Sequence, residues 1–366
     1  MIRKVCIALW PVAVLSLSPS CSSGESAVAR VAVAGNHFIL AGTGETFTPW
    51  GFNYVNDWDY RLIEDYWGEG WQKVEQDLRE IQALGANVVR ICLQYHEFMD
   101  TATTSNEANL SRLKQLVTLA ERLGIYLDIT GLGSFRPKDE PAWYVELAEP
   151  DRWAAQAKFW ETIAATLAGR PGVFAFNLMN EPIVAGEQLP HGAWVHPNEL
   201  EGLHYLEYIN LDPAGKDRAD IAVAWIRRMK QAIRSHDPNR LVTVGMFPLF
   251  GSTDAAGFPP GRLATEVDFI SVHLYPRAGR IDNDLALLRR YDVGLPVLIE
   301  ETFPLSSGIG DYRAFLNASR ALADGWLSFY WGETDDALRA RGGVRAGAVL
   351  EATKAFEDFA PTRQPR

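Results

Sequence analysis

The sequence alternates short apolar runs with amphipathic segments along most of its length, and this alternation restricts the fold more than any other feature. Apolar runs typical of strands lie at 86–91, 125–129, 173–179, 241–244, 269–272, 296–299 and 326–330. Segments with apolar residues at helical spacing lie at 71–84, 110–123, 151–167, 219–235, 284–291 and 346–356. Together with an entry strand near residue 50, this pattern gives about eight strand-plus-helix units. Such apolar strands are typical of a parallel sheet covered by helices.

Polar side chains recur at the carboxyl ends of these strands, as at Arg90, Glu181 and Glu301. A closed barrel gathers such ends around one mouth, whereas an open sheet spreads them along an edge. We therefore predict an α/β protein with a single (β/α)8 TIM barrel. A short N-terminal β-hairpin is expected before it, with strands near 38–40 and 46–48 and a glycine-rich turn at 42–44.

The amino terminus has the pattern of an export signal. Arg3 and Lys4 precede an apolar stretch, 5–17, that is too short to span a bilayer but long enough for a signal peptide. The predicted organisation is a signal peptide at 1–21, a linker at 22–30 and the (β/α)8 barrel at 31–366. Ser18–Gly24 resembles a bacterial lipoprotein site, which would attach the protein to a membrane through a lipid on Cys21. Cleavage after 27–29 would instead release a freely secreted protein. Either route predicts an exported protein, at the cell surface, in the periplasm or in the medium.

The composition excludes several classes of partner. A formal net charge of -11 disfavours nucleic acid and anionic membrane surfaces, because both repel an acidic protein. The 12 tryptophans exceed what a core needs, and exposed rings can pack against the apolar faces of sugars, although most of the rings individually are expected simply to pack in the core. Of the three cysteines, Cys6 lies in the signal and Cys21 would carry lipid, so Cys92 has no intrachain partner and no disulfide framework is expected. We expect a monomer.

Two glutamates directly follow strands that lie far apart in the sequence. Glu181, in Asn180–Pro182, follows the strand 173–179, and Glu301 follows the strand 296–299. Glycoside cleavage requires one protonated and one charged carboxyl group on either side of the scissile bond. A single glutamate after a strand is usually a solvated loop residue, so it is the pair that indicates chemistry. Glu300 competes with Glu301, because strand alternation lets only one of them point into the mouth.

The order of the motifs resembles glycoside hydrolase family 5, within the clan of retaining barrel glycosidases. The resemblance spans about residues 38–358 and rests on Phe47–Asn53, Leu84–Arg90, Leu178–Pro182, Ser271–Pro276, Pro296–Glu301 and Phe329–Gly332. It implies that Glu181 is the acid/base and Glu301 the nucleophile. It also implies that Arg90 hydrogen-bonds the nucleophile and that Tyr275 steadies it. No metal and no cofactor is implied.

Three further residues take roles from the resemblance. Asn180 is expected on the sugar 2-hydroxyl, His273 belongs to the His-x-Tyr of the sixth strand, and Trp331 is expected under the sugar. The simpler alternatives are a structural ion pair for Arg90, a satisfied core position for His273 and plain packing for Trp331. The family usually carries a histidine after its third strand, and this chain has Thr130–Gly133 there instead. That departure leaves the contacts on this side of the site, and the sugar, open.

The predicted function is hydrolysis of β-glycosidic bonds by retaining double displacement, on β-glucan or β-mannan type oligo- and polysaccharides. A non-catalytic glycan-binding barrel lipoprotein, and a β-glycosidase that acts on small glycosides or glycolipids, are the alternatives. The sequence has no His-Glu-x-x-His for a metallohydrolase and no Gly-x-Ser-x-Gly for a serine hydrolase. A loop-like insertion near 183–216 is expected to shape the substrate cleft.

Overall fold

The computed structural model describes residues 28–329 and 331–361. The predicted signal peptide at 1–21, the candidate lipid site Cys21 and most of the predicted linker lie outside these residues. In the described ranges, no helix combines the length and the apolar character needed to cross a membrane.

Short strands and longer helices alternate along the described chain. The strands are β1 Val31–Ala34, β2 His37–Leu40, β3 Trp50–Asn53, β4 Val88–Gln94, β5 Tyr126–Gly133, β6 Val173–Asn180, β7 Pro182–Ile183, β8 Glu207–Tyr208, β9 Leu241–Met246, β10 Ile270–His273, β11 Val297–Thr302 and β12 Gly325–Ser328. The α-helices are α1 Ile63–Tyr66, α2 Trp71–Ala83, α3 Tyr95–Phe98, α4 Glu107–Leu123, α5 Ala142–Val145, α6 Glu149–Leu167, α7 Arg218–Arg234, α8 Pro260–Leu263, α9 Ile281–Arg289, α10 Ile309–Ser319, α11 Asp335–Arg341 and α12 Gly343–Phe359. Two single-turn 3₁₀-helices lie at Pro137–Asp139 and Leu249–Gly251.

Eight parallel strands close into a barrel in the order β3-β4-β5-β6-β9-β10-β11-β12. The predicted TIM barrel is therefore confirmed. Helix α4 shows how local sequence sets an element: the Asn106 side chain accepts from the backbone of Asn109 at its start, and Gly124 ends it at φ +71°. Helix α10 has no counterpart in the sequence-based expectation, because Gly308 and Gly310 obscure the helical spacing at its start.

A hairpin of β1 and β2 closes the end of the barrel where the strands begin. Phe38 is fully buried and contacts the rings of Phe174 and Phe269, at centroid distances of 5.3 Å and 5.1 Å. Both partners lie at the amino ends of the barrel strands, so the hairpin forms the floor of the barrel. The mouth, at the carboxyl ends of the strands, faces the opposite way.

The pairing within this hairpin differs from the expectation. The predicted short N-terminal hairpin is present, but its main pairing joins residues 37–40 to Val31–Ala34 across a turn in which Gly35 has φ +61°. The expected partner segment also pairs around the Ile39–Thr46 bridge, where the N–H of Leu40 donates to the carbonyl of Glu45 and the N–H of Phe47 to the carbonyl of Phe38, each at 2.8 Å. The two-residue Gly-Asn turn favours this earlier partner. Close to the carboxyl end of the predicted linker, the Tyr126 hydroxyl donates to the carbonyl of Ala29 at 2.6 Å.

The register between β10 and β11 shifts by one residue at the barrel mouth. Val272 pairs with Ile299, but His273 pairs with Glu301, so Glu300 is passed over. A bulge of this kind redirects the side chains around it. Both Glu300 and Glu301 consequently reach the same buried side chain, Arg90, whereas regular alternation would have turned one of them away.

Candidate active site

Glu181 and Glu301 converge on one cavity at the mouth of the barrel. The cavity has a volume of about 700 Å³, and both glutamates, His273 and Tyr275 contribute to its lining. One carboxylate oxygen of Glu181 lies within 4.8 Å of one of Glu301 and of a ring nitrogen of His273. Such a short separation is typical of retaining glycosidases, because inverting enzymes leave room for a water between the carboxyl groups.

Glu181 is held in an unusual backbone conformation directly after β6. Its φ of +43° lies in the left-handed region, and its N–H donates to the carbonyl of Gly245 at 3.0 Å. Non-glycine residues in this region are strained and cluster at functional sites. Burial raises the pKa of Glu181 above its usual value and the charge of Glu301 adds to this, although the hydrogen bond with His273 Nδ1, at 2.8 Å, opposes the rise. A raised pKa suits a carboxyl group that donates a proton near neutral pH.

Glu301 is fixed by donors on both of its oxygens. Arg90 Nη1 donates to Oε1 and the Tyr275 hydroxyl donates to Oε2. His273 Nδ1 lies 3.4 Å from Oε2. The side chain is almost fully buried at the base of the cavity. Its carboxylate is thus aimed and hydrogen-bonded in a fixed orientation before any substrate arrives.

Arg90 connects four strands of the barrel beneath the cavity. Its Nε donates to Thr130 Oγ1 at 2.8 Å, and its two terminal nitrogens donate to Asn53 Oδ1 at 2.9 Å and to Asn180 Oδ1 at 2.8 Å. The guanidinium also contacts Glu301, and it is fully buried. The predicted contact between Arg90 and Glu301 is therefore present, and the same group also organises the amide of Asn180.

Glu300 lies deeper than Glu301 and does not contribute to the lining of the cavity. Its carboxylate accepts from Asn177 Nδ2 at 2.7 and 2.8 Å, and its Oε2 lies 2.9 Å from His273 Nε2. Burial alone would raise the pKa of Glu300, but the charge of Arg90 and the hydrogen bond with His273 outweigh it and lower the pKa to about 2. These contacts favour the charged form of Glu300 despite its burial.

His273 lies between the two glutamates and links them. Burial disfavours its charged form, yet the charge of Glu301 and the hydrogen bonds with Glu181 and Glu300 raise the pKa of His273 to about 9. The result is a continuous chain of side chains from Glu181 through His273 to Glu300. Asp128 is buried nearby and hydrogen-bonds with Glu300, and burial followed by the charge of Glu300 raises the pKa of Asp128 well above its usual range.

The remaining predicted residues occupy different positions. The Asn180 side chain donates to the carbonyl of Tyr205 at 2.8 Å, in addition to its bond with Arg90. Trp331 is only 4% exposed and packs edge-on against Phe52 at 5.7 Å, outside the set of residues that line the cavity. Its place under a sugar stays a prediction, and its packing in the core is what the structure shows.

Four groups that support the site receive no role from the sequence pattern, although Asn53 ends the Phe47–Asn53 motif. Thr130, in the segment where the family usually has a histidine, holds Arg90 instead. Asn53, Asn177 and the Tyr205 carbonyl complete the network. Asn177 lies inside the apolar strand β6 and Asn53 ends β3, and a polar residue in a strand that is otherwise apolar is the signal that points to them.

The insertion contributes one wall of the cavity. Asn198, Glu199, Leu200, Tyr205 and Leu206 line it. The segment is anchored to the barrel top, because β8 pairs with β7 directly after Glu181 and the N–H of His204 donates to the carbonyl of Phe135 at 2.8 Å.

The chain matches a known protein family and is similar to a plant relative. The model of the cellulase family, glycosyl hydrolase family 5, matches residues 41–302. A relative, mannan endo-1,4-beta-mannosidase 1 of Arabidopsis thaliana, is 24% identical over 331 residues, which cover 83% of this chain and 68% of the relative.

Solved structures with the same fold include two enzymes named for mannose substrates. An exo-beta-1,4-mannosidase from Opitutaceae bacterium strain TAV5 superposes with a TM-score of 0.66 at 19% identity, covering 90% of this chain and 61% of that enzyme. A beta-mannanase from the blue mussel Mytilus edulis gives a TM-score of 0.59 at 16% identity, covering 93% of this chain and 99% of that enzyme. At these identities the likeness shows the shared barrel.

Proposed function

This chain belongs to glycosyl hydrolase family 5 and is a glycoside hydrolase, and from this premise we propose that it cleaves β-mannosidic bonds with retention of configuration. The observation that carries the proposal is the approach of Glu181 and Glu301 to within 4.8 Å across the cavity. The choice of a β-mannan type substrate is supported by the names of the relatives, which include endo- and exo-acting mannosidases. The presence of both carboxylates favours catalysis over mere glycan binding.

The proposed reaction has two displacement steps. A carboxylate oxygen of Glu301 attacks the anomeric carbon while Glu181 gives its proton to the leaving oxygen, which produces a glycosyl ester and a free alcohol or sugar. Glu181, now charged, takes a proton from water as that water attacks the anomeric carbon. The ester bond breaks, and Glu301 returns to its carboxylate form. One water is consumed per bond cleaved.

The neighbouring side chains have defined parts in this proposal. Arg90 and Tyr275 hold Glu301 in line with the anomeric carbon, which lowers the entropy lost in reaching the transition state. Asn180 uses one amide hydrogen on the Tyr205 carbonyl, so its second amide hydrogen can donate to the sugar 2-hydroxyl. That bond strengthens as positive charge develops on the sugar ring, which stabilises the transition state more than the bound substrate.

We propose that Glu181 and His273 share the catalytic proton. A neutral His273 can accept from protonated Glu181 through Nδ1, and a charged His273 can donate to the Glu181 carboxylate through the same atom. These two forms carry the same number of protons, and Glu300 at Nε2 stabilises both. The pair therefore titrates as a unit and keeps its proton available for the leaving oxygen.

The catalytic assignment is tested with two variants and azide. Glu301→Gly should lose hydrolysis, and azide should restore turnover of an activated aryl β-mannoside with formation of the α-mannosyl azide. Glu181→Ala should instead yield the β-mannosyl azide, because the covalent intermediate still forms. Rescue of Glu300→Gly but not of Glu301→Gly would overturn the assignment.

The sugar is tested by a screen with purified protein. Aryl β-mannoside, β-glucoside and β-galactoside are compared alongside mannan and cellulosic polymers, and the mannosides and mannan should be the preferred substrates. NMR of the first product should show the β-anomer. Preference for cellulosic polymers, or a first-formed α-anomer, would contradict the proposal.

We also propose that the chain is exported and that Cys21 carries a lipid. The signal pattern at 1–21 and the lipoprotein-like Ser18–Gly24 support this. Labelling of the full chain with a radioactive fatty acid should mark the wild type and leave Cys21→Ser unmarked. A labelled Cys21→Ser variant, or release of unlabelled protein into the medium, would contradict it.

A further inference from the structure

Asp128 is a fully buried acid beneath the active-site cavity, and the proposed reaction assigns it no role. It lies in β5, beside Arg90 of β4 in the register of the barrel, and it does not line the cavity. Its carboxyl group contacts that of Glu300, which belongs to β11 on the opposite side of the barrel. Two side chains that meet from opposite strands must both point into the interior of the barrel.

The surroundings of Asp128 offer little to stabilise a negative charge. The charged groups that act on it are Glu300 of β11 and Arg90 of β4, while its partner on β6 is Ala175. Among the described residues no N–H donates to either carboxyl oxygen, and Arg90 directs its nitrogens to other partners, including Thr130 and Glu301. A buried carboxylate without a donor or a paired cation is so costly that the group takes up a proton instead.

Glu300 has the opposite surroundings. Asn177 Nδ2 donates to both of its oxygens, at 2.7 and 2.8 Å, and Arg90 Nε lies 3.3 Å from Oε2. His273 Nε2 lies 2.9 Å from the same oxygen. A hydrogen bond between two carboxyl groups needs one proton, and these contacts favour the charged form of Glu300. They therefore place the proton of the pair on Asp128. The direction of its pKa agrees, since burial and the charge of Glu300 raise the pKa of Asp128 well above its usual range.

The balance of charges in the barrel interior favours the same arrangement. Arg90 contacts both Glu300 and the nucleophile, so one of these two negative charges is left uncompensated. The proton shared by Glu181 and His273 leaves that pair neutral in the active form. A charged Asp128 would add a second uncompensated negative charge in direct contact with the first, away from water.

We propose that Asp128 is a neutral positioning residue, which donates its proton to Glu300 and holds that carboxylate where it stabilises the proton shared by Glu181 and His273. Glu300 contacts Asp128 and His273 together, so its place and charge are felt at the catalytic proton. Asp128 does not line the cavity and acts through Glu300 alone. The link to the reaction rests on the proposed function, whereas the protonated state of Asp128 does not.

The charge of Asp128 is tested by denaturant unfolding of the wild type and Asp128→Asn between about pH 5 and 8. The wild type should release this proton on unfolding, because an exposed aspartate titrates near about pH 4. Its unfolding equilibrium constant should therefore rise by about tenfold per pH unit relative to that of Asp128→Asn, which means that stability is lost as the pH rises. A ratio that is constant with pH would overturn the inference.

Asp284→Asn is the matched control for this measurement. Asp284 is also fully buried, but it accepts from Arg277 Nε and from the backbone N–H of Arg277, each at 2.8 Å. Its charge should be the same in the folded and the unfolded protein. The ratio of the unfolding constants of the wild type and Asp284→Asn should therefore stay constant over the same pH range, and a tenfold change per unit here as well would remove the support for Asp128.

NMR of protein labelled with ¹³C at the aspartate side-chain carboxyl carbon gives a second measurement of the charge. One signal of the wild type should keep the chemical shift of a protonated acid between about pH 5 and 8, and Asp128→Asn should remove it. If the signal that disappears is that of a carboxylate, the inference is refuted. The absence of any protonated aspartate signal from the wild type would refute it even if Asp128→Asn does not fold.

The positioning role is tested by kcat/KM against pH with a mannoside that has a poor leaving group. Asp128→Asn keeps a neutral donor to Glu300, so its alkaline limb should coincide with that of the wild type. Asp128→Ala removes the donor and should lower kcat/KM by about 10-fold or more, because Glu300 loses a contact that orients it. Equal activities of the two variants would overturn the positioning role.

Failure of the inference differs from failure of the proposed function. If Asp128 is charged in the wild type, Asp128→Asn removes a negative charge, the shared proton is bound less tightly and the alkaline limb moves to lower pH. That shift would overturn the inference while mannosidase activity stands. If the wild type cleaves no mannoside, the proposed function fails, and the unfolding and NMR measurements still decide whether Asp128 is neutral.

Discussion

Replacing Glu300 by Gln tests the proposed chain from Glu181 through His273 most directly. The substitution keeps the size of the side chain and removes its negative charge. In the wild type that charge lies 2.9 Å from His273 Nε2, and both groups are fully buried. A hydrogen bond to a charged partner contributes about 1.5–3 kcal/mol. Since one pKa unit corresponds to about 1.4 kcal/mol, the expected effect on proton binding is about 1–2 units.

The direction of the shift follows from the charge that is removed. Glu181 and His273 share one proton in the active form, and activity is lost at alkaline pH when the pair releases it. Both groups have raised pKa values in the wild type, so their shared proton is retained to higher pH than the usual value of a glutamate would allow. Without the negative charge of Glu300 the pair binds this proton less tightly. The alkaline limb of kcat/KM should therefore move to lower pH by about 1–2 units.

The assay is kcat/KM against pH with a substrate that has a poor leaving group, because only such a substrate needs the proton of Glu181. Glu64→Gln is a suitable control: Glu64 is also buried, and burial raises its pKa to about 8, but it lies outside the residues that line the cavity. Its alkaline limb should match the wild type. An unchanged limb in folded Glu300→Gln, or a shift to higher pH, would refute the proposed sharing of the proton.

Three further substitutions test other parts of the structure. Arg90→Lys cannot reproduce the forked contacts of the guanidinium and should lower kcat/KM by about 100-fold or more, whereas a change within about threefold would contradict its positioning role. Phe38→Ala should lower the free energy of unfolding by about 3–5 kcal/mol in urea titrations while leaving kcat of the folded enzyme unchanged, and a lost kcat would contradict the separation of floor and mouth. Gly131→Ala places a Cβ 2.6 Å from ring atoms of Phe159 and Trp160 and should lower the free energy of unfolding by about 1–3 kcal/mol. Gly261→Ala, whose Cβ would have nothing within 4 Å, should leave that free energy unchanged, and an equal loss in both variants would contradict the packing argument.

Most of the barrel could be predicted because its strands are continuously apolar. Runs such as 173–179 and 296–299 predict buried strands from composition alone, and the proposed catalytic residues Glu181 and Glu301 follow their carboxyl ends. The proximity of Glu181 and Glu301 then follows from barrel closure. Local sequence patterns were sufficient to predict this proximity, because each of the two glutamates is positioned by the strand that it follows.

Features that depend on contacts between distant segments could not be predicted in the same way. The register shift that turns Glu300 inward is set by pairing with β10, and strand alternation alone predicts the opposite orientation for one glutamate of the pair. The burial of Trp331 depends on Phe52, far away in the chain. The backbone strain at Phe250 likewise has no sequence signal, since nothing in its neighbours predicts a positive φ for an aromatic residue.

The hairpin beneath the barrel also determines how the protein can be presented to its surroundings. Val31–Ala34 enters on the side away from the cavity, separated from it by the length of the strands, about 20 Å. Immobilising the protein through residues that precede the hairpin would therefore leave the entrance unobstructed. Bulky fusions at that end should be tolerated, and large substrates should approach from the free side.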